Sequence, residues 1–270
     1  MNPSNCLVLL RGGGDLASGV AHRLHTAGFR VVIVELPQPL CVRRAVSFAE
    51  AVYANETQVE GVMARLVRSP QEALTFTQQR LIPVLVDEAG AALHELKPEV
   101  VVDARLAKEP LDTQITDAPL VLALGPGFVA GEHCHAVIET QRGHHLGRVL
   151  WRGSAQANTG IPEAVSGFTG QRVLRAPCDG VITGELEIGE FVPAGQTIAT
   201  VNGVDIRAAF NGVLRGLIHS GVAVMAGMKV GDLDPRGVRE HCFTISDKAR
   251  AVGGGVLEAI LNAQFTRRTS

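Results

Sequence analysis

Along the first half of the chain, short unbroken apolar runs alternate with stretches whose apolar residues recur at helical spacing. CLVLL (6–10) is a run of strand type. A glycine turn follows, and Val20, Leu24 and Ala27 then mark a helical face that ends at Gly28, ahead of a second apolar run, Val31–Val34. This order predicts a strand–helix–strand unit. GVMARLV (61–67), LIPVLVD (81–87), EVVVDAR (99–105) and PLVLALG (119–125) are rich in Val, Leu and Ile, as strands covered on both faces are. SPQEALTFTQQR (69–80) reads as a helix between two of them, with Ser69 as its cap and Pro70 in its first turn. Apolar strands with interposed helices predict an α/β fold: a Rossmann-like domain with a largely parallel sheet over residues 1–168.

After about residue 170 the rhythm shifts to short β-type runs separated by glycines. APCDGVITGELEIGEFVPAGQTI (176–198) repeats as AAFNGVLRGLIHSGVAVMAGMKV (208–230), so that Gly180, Gly189 and Gly195 recur 32 residues later as Gly212, Gly221 and Gly227. Two copies are too few for a solenoid and suit a pseudo-twofold β-sandwich with glycines at its turns. The phrase AP.DGV…IGE.V..G..I resembles the biotinyl/lipoyl barrel-sandwich family, which implies a small all-β barrel-sandwich-hybrid module at 169–236. The hairpin between the copies reads VNGVDIRA (201–208); Asn202-Gly203 is a tight-turn signal, and there is no lysine in it to carry biotin or lipoate. A rigid docking or oligomerisation surface is the expected role.

The last segment, 237–270, returns to α/β style and is expected to pack back on the first domain. Gly253–Gly255 stand before an amphipathic run, which predicts a helix beginning near Val256. Three glycines there admit close approach of a ligand or of another element, and both readings stay open. Ser246, Asp247 and Lys248, just upstream, would line the same cleft.

Composition narrows the function classes. The 270 residues are 46% hydrophobic and 19% charged, ordinary for a globular protein, and the net charge of −2 attracts no polyanion. Aromatics are 4%, with one Trp and one Tyr, too few for base-stacking platforms. No apolar run approaches the roughly 20 residues that span a bilayer. MNPSNCLVLLRGG has no basic segment ahead of its short apolar run, so no secretory leader is expected and the expected location is the cytoplasm. Five widely spaced cysteines without a C-x-x-C fit a reduced compartment better than a disulfide framework.

The strand–helix–strand unit carries the first candidate site. Gly12, Gly14 and Ala17 match G-x-G-x-x-[GA], and Glu35 ends the second strand, where a ribose-binding carboxylate belongs in a dinucleotide fold. Small residues at Gly12, Gly13 and Gly14 let backbone N–H groups and the helix start face a phosphate. Asp15 puts a carboxylate close to that phosphate, which points away from ordinary NAD binding, towards a different nucleotide or a bound cation. A strand–helix–strand scaffold whose turn binds nothing is the alternative. Two more strand tips matter, DARLAK (103–108) and GPG (125–127); a solvated, ion-paired loop is the plain reading of Asp103, Arg105 and Lys108.

The stretch GPGFVAGEHCHAVIETQRGHHLG (125–147) gathers His133, Cys134, His135, His144 and His145 around Glu139 and Arg142. Three chemistries fit it. A catalytic metal would take three ligands from among His133, His135 and His145, though no closed zinc spacing is present. An anion would meet the backbone of Gly125 and Gly127, with Arg142 and His144 as donors. Cys134 between two histidines would be a nucleophilic thiolate, or else a buried structural cysteine. GSAQANTGIP (153–162) adds Asn158 and Thr159, and Ser154 beside them, as hydrogen-bonding side chains for a polar ligand.

RGGGDLASGVAHRL, VVDARLAK, LGPGFVAGEHCHAVIETQRGHHLGRVLWRGSAQANTGIP, RAPCDGV and ISDKARAVGGGVLEAIL together resemble the selenium-dependent molybdenum hydroxylase system proteins, over nearly the whole chain. The resemblance implies an accessory role in maturing bacterial molybdenum hydroxylases, handling the molybdopterin cofactor or its selenium, with the hydroxylase or its cofactor as partner and no nucleic acid or membrane. Joined to the residues, it predicts a nucleotide-bearing or molybdopterin-type ligand, such as the cytidine dinucleotide form. Gly12–Gly14 and Gly125–Gly127 would cradle phosphate, Glu35 would accept from ribose, Arg142 and His144 would balance charge, and Cys134 would be the chemical residue. An NAD(P)-dependent oxidoreductase and a non-catalytic docking scaffold are the other two readings, and a homo-oligomer is a further candidate assembly whichever holds.

Overall fold

The structure is a computed structural model describing residues 2–157, 165 and 167–269. The chain forms two compact units, one of Met1–Pro39, Phe48–Asn158 and Ile245–Ser270, the other of Leu40–Ser47 and Thr159–Thr244.

In the first unit, β1 (Leu7–Arg11) leads through the glycine turn into α1 (Asp15–Thr26) and back along β2 (Arg30–Glu35). The short α2 (Ala51–Ala54) precedes the hairpin of β3 (Glu56–Val59) and β4 (Val62–Val67). Then come α3 (Pro70–Gln78), β5 (Ile82–Val86), α4 (Ala91–Leu96), β6 (Val100–Asp103), β7 (Leu120–Leu124), β8 (Ala136–Ile138) and β9 (Val149–Leu150). The Ser69 hydroxyl accepts from the Glu72 amide at 3.2 Å, the cap its sequence position predicts.

These nine strands form one sheet in the order β3-β4-β5-β2-β1-β6-β7-β8-β9. Pairing is parallel from β4 through β8, and antiparallel only at the outermost strands, β3 and β9. The strands β1, β2, β6 and β7 are almost wholly buried along their lengths, which explains their unbroken apolar sequences. From β1 the chain passes to β2, skips out to β3 and β4, returns to β5 between β4 and β2, and then crosses to β6 on the other side of β1. The order of the sheet therefore switches between β1 and β6.

The last helix, α5 (Asp247–Thr269), corrects the expected start near Val256: it begins nine residues earlier and runs straight through Gly253–Gly255. Close packing explains glycine there. A Cβ on Gly19 of α1 would lie 2.7 Å from the Ala249 Cβ, and one on Gly253 would lie 2.8 Å from the Gly19 carbonyl oxygen. Glycine costs about 1 kcal/mol of helix propensity, and here the backbone contact between α1 and α5 needs it. No helix among the described residues is long and apolar enough to cross a membrane.

The second unit holds β10 (Val173–Arg175), β11 (Gly180–Gly184), β12 (Phe191–Val192), β13 (Thr197–Val201), β14 (Val204–Arg207), β15 (Gly212–Leu217), β16 (Ala223–Val224) and β17 (Lys229–Asp234). They make two four-stranded antiparallel sheets, β10-β17-β15-β12 and β14-β13-β11-β16. The repeat is visible in the strands. β11, β12 and β13 begin at Gly180, Phe191 and Thr197, and β15, β16 and β17 begin 32 residues later at Gly212, Ala223 and Lys229. Replacing each strand by its counterpart turns one sheet order into the other. Asn202 and Gly203 both have positive φ (47° and 81°), the left-handed pair a tight hairpin between β13 and β14 requires. An apolar core including Ile182, Ile198, Leu214 and Leu233 fills the unit.

Candidate functional site

The carboxyl ends of β1, β6 and β7 lie side by side, with Arg11 in register with Asp103, and Asp103 with Ala123. Both glycine corners, Gly12–Gly14 and Gly125–Gly127, leave this one edge. They are two strand spacings apart, about 10 Å. The segment after β6 fills the space between them. A Cβ on Gly12 would lie 3.4 Å from the Arg105 side chain, and one on Gly127 would lie 2.3 Å from the Ala107 carbonyl oxygen. Gly127 is thus required by the packing of the chain on itself.

The first corner is built by its glycines. Gly12 (φ 95°) turns the chain, and its amide donates to the Val34 carbonyl at 2.9 Å. The Gly13 carbonyl accepts from the Ala49 amide and the Ser18 hydroxyl, each at 3.0 Å, so the segment Phe48–Ala49 covers one side of the turn. The Gly13 amide donates to Glu35 Oε1 at 2.6 Å, and the Leu36 amide to Glu35 Oε2 at 2.9 Å. Burial pushes the Glu35 carboxyl above its ordinary range, against the pull of these two amides. Gly14 stands at the cap position of α1, and Asp15 opens the helix, where its charge suits the helix dipole.

Beside this corner is a charged network that the sequence does not announce. Asp103 is fully buried, and its carboxylate accepts from the Arg105 guanidinium at 2.5–3.2 Å and from the Thr113 hydroxyl at 2.6 Å. Arg105 Nη1 meets Asp112 Oδ1 at 2.7 Å. Arg11 pairs with the other oxygen of Asp112 and donates to the Thr113 hydroxyl at 2.6 Å. One carboxylate, 62% exposed, thereby bridges two guanidiniums at the switch point of the sheet. Burial alone would raise the Asp112 carboxyl, but hydrogen bonds and charge from Arg105 and Arg11 outweigh it and hold it down at about 2. Burial likewise works against the Arg105 charge, and Asp103 and Asp112 overcome it to hold the guanidinium above its ordinary range.

The histidine-rich stretch is arranged differently from a metal centre. His133 Nδ1 accepts from the Val129 amide at 3.0 Å, and His135 Nδ1 from the Val121 amide at 2.9 Å. A ring nitrogen used in this way is not offered to a metal. His144 and His145 are exposed and pack edge to face, ring centroids 5.0 Å apart. No group of three or more His, Cys, Asp or Glu among the described residues is placed to hold a metal ion. Arg142 makes a two-pronged ion pair with Asp247, the first residue of α5, at 2.6 and 2.7 Å. At the second corner, Gly125 (φ 84°) donates to the Ile138 carbonyl at 3.1 Å. Asn158 and Thr159 lie outside the described residues.

The expectation of a reactive thiolate at Cys134 needs correction. Cys134 is fully buried in the apolar core among residues such as Val121, Phe128 and Val137. Burial, and then the Asp103 charge, push its thiol up to about 12. A nucleophilic cysteine needs the opposite surroundings, exposure and positive charge. The two flanking histidines do not supply them, because each ring turns to a backbone amide.

Glu139 is the residue of this stretch to which the sequence assigns no role. It is 2% exposed, and its two oxygens accept from the amides of Gln141 and Gln156 at 2.7 and 2.8 Å. Its own carbonyl accepts from Gly147 at 2.9 Å. It is an organising carboxylate, tying the two flanks of the histidine loop together. The only signal in the sequence is an acid closing the apolar run AVI.

Comparison with known proteins adds a relative. Over 255 residues the chain is 51% identical to "Uncharacterized protein YqeB" of Escherichia coli (strain K12). The likeness to YqeB extends over most of this chain's length. The match takes in 94% of this chain and 47% of the relative, so the chain spans about half the length of the curated relative it matches. No protein-family model matches. Among solved structures, an aspartoacylase family protein from Mesorhizobium loti matches with a TM-score of 0.27 at 12% identity, over 84% of each chain. The Escherichia coli tRNA N6-threonylcarbamoyladenosine dehydratase TcdA, solved with AMP, matches with a TM-score of 0.30 at 12% identity, over 97% of this chain and 89% of that one. Likeness at this level carries no argument about function.

Proposed function

We propose that the carboxyl edge of the large sheet binds a phosphate-bearing ligand of nucleotide type, in a unit of Rossmann-like kind. The observation that carries this reading is the bridge of Asp112 between Arg11 and Arg105 at the switch point. Ligands of open α/β sheets bind at the carboxyl ends of strands where the strand order reverses. Two guanidiniums that share a single exposed carboxylate there suit a phosphate with more than one charged oxygen. Phosphate would displace Asp112, with the Gly12–Gly14 turn beside it. Glu35 uses one hydrogen bond on each oxygen and keeps acceptor capacity for a ribose hydroxyl. Leu36 and Val86, exposed at the neighbouring ends of β2 and β5, offer apolar contact to a base.

The biological setting we propose is maturation of a molybdenum hydroxylase, with molybdopterin or its cytidine dinucleotide form as the ligand. It rests on the motif resemblance. The second unit would be a biotinyl/lipoyl-like module without a carrier lysine, used for docking. Cys134 has no chemical part in this reading; the chain binds and presents a cofactor.

The test is thermal unfolding with cytidine diphosphate, NAD+ and inorganic pyrophosphate as separate probes. A ligand at 100 times its Kd stabilises the native state by about 2.7 kcal/mol. Cytidine diphosphate should raise Tm in the wild type, more so in Asp112→Asn, and not in the Arg11→Gln/Arg105→Gln variant. A response to NAD+ alone would favour the oxidoreductase reading, and no response to any probe would remove the nucleotide site.

A further inference from the structure

A second cationic site lies at the opposite edge of the same sheet. A cavity of about 270 Å³ opens at the amino ends of β2 and β5, lined by His25, Arg30 and Arg80 together with Ser4, Thr77 and Gln78. No lining residue is acidic. Arg30, the first residue of β2, has its Nε buried without a hydrogen-bond partner among the described residues. Arg80 donates to the His25 carbonyl at a long 3.4 Å, and neither arginine is ion-paired with a carboxylate among the described residues. Arg80 also holds a positive φ of 57°, a backbone conformation unfavourable for a long side chain, just past the end of α3.

A buried guanidinium nitrogen left without an acceptor costs free energy. Nε itself is closed off, so an anion in the cavity would offset that cost through its charge on the guanidinium as a whole. Here three cationic or potentially cationic groups face one cavity from the end of α1, the start of β2 and the turn after α3. The side chains between them, two hydroxyls and an amide, carry no charge. Burial, then the Arg80 charge and His22, lower the His25 imidazole below its ordinary value, the expected sign for a ring among cations with no anion present.

We infer that this cavity is a binding site for a small phosphate monoester, held through the Arg30 and Arg80 guanidiniums and the His25 ring. Two separated guanidiniums and an imidazole match a tetrahedral dianion better than a planar carboxylate, which one arginine satisfies. The volume is at the small end of ligand pockets, so the body attached to the phosphate is a few carbons long, not a nucleotide. The site is distinct from the Arg11–Arg105 edge and does not depend on it: Arg30 begins the strand that Glu35 ends.

The experiment is a titration of the 15N-labelled full chain with inorganic phosphate and with glycerol 3-phosphate, followed by amide and histidine ring shifts and by Tm. Saturable shifts at His25, Gly28, Arg30 and Leu81 are expected, with glycerol 3-phosphate binding at least as tightly as phosphate. Arg30→Gln/Arg80→Gln should weaken this at least tenfold while Arg11→Gln leaves it unchanged. Arg30→Gln should also unfold at an equal or higher temperature than wild type in phosphate-free buffer, since it removes an uncompensated charge. Shifts confined to the Gly12–Gly14 edge, no saturable shift at either probe, or binding unaffected by the double substitution would each overturn the proposal.

Discussion

The carbonyl oxygen of Gly147 lies 2.2 Å from the point where a Cβ on Gly255 would stand. The next glycine back, Gly254, has nothing within 4 Å of the same point. Neighbouring glycines in one helix therefore have opposite expected responses to alanine. Gly255→Ala forces the histidine loop away from α5 and should cost about 1–3 kcal/mol. Gly254→Ala should stabilise by up to about 1 kcal/mol through helix propensity alone. Denaturant midpoints of the two variants provide the check; a loss in both would mean that the contact is not what fixes Gly255.

Glu139→Ala removes the acceptor of the Gln141 and Gln156 amides, both of which are only partly screened from solvent. Each hydrogen bond lost is worth about 0.5–1.5 kcal/mol, so a loss of about 1–3 kcal/mol is expected. Glu139→Gln should rescue only part of the loss, because its one carbonyl oxygen can accept from one of the two amides while its NH2 group cannot accept from the other. Hydrogen exchange at the Gln141 and Gln156 amides should accelerate in both variants. Unchanged protection would show that the loop is held by other contacts.

The thiols should divide by burial. None is in a disulfide; Cys6, Cys134 and Cys242 are buried, and Cys41 and Cys178 are partly exposed. Burial raises the Cys6 thiol to about 11 and the Cys134 thiol to about 12. A thiol reagent at pH 8 should therefore modify Cys41 and Cys178 in the native protein, and Cys6 and Cys134 only in denaturant. Peptide mapping after a timed pulse resolves them. Rapid native labelling of Cys134 would restore it as a reactive residue.

Asp112 sets an acid-side dependence. Its folded-state value, about 2, is below the ordinary 3.8 of an unfolded aspartate. The stabilisation from its pairs is therefore fully present above about pH 4 and is lost as pH falls through about 2. The stability gap between wild type and Asp112→Asn should be level from pH 5 to 7 and close below pH 4. Salt should narrow it, since the carboxylate is largely exposed. A gap that widens on acidification would contradict the bridge.

The central strands of the large sheet are legible because both of their faces are covered: LIPVLVD holds Ile82–Val86 and PLVLALG holds Leu120–Leu124, whereas the outlying Glu56–Val59, Ala136–Ile138 and Val149–Leu150 are too short or too mixed to show. The glycine turn and α1 were legible because Gly12 and Gly28 punctuate the pattern. The start of α5 was not, because Gly253–Gly255 weaken a helix locally and only the packing of Gly19 and Gly147 explains them. The Arg11–Asp112–Arg105 bridge was hidden for a related reason. Charges at strand ends look like a solvated loop until the register of β1 and β6 brings them together. Adjacency in sequence misled at Cys134, whose histidine neighbours turn their rings to the main chain.

In the second unit, β12 hydrogen-bonds to β15 and β16 to β11, so each copy of the 32-residue repeat lends a strand to the sheet built mainly by the other. A peptide carrying one copy would expose two unpaired backbone edges. It could close them only by clasping a second identical peptide, which makes the two copies in this chain the equivalent of a symmetric dimer with its subunits tethered.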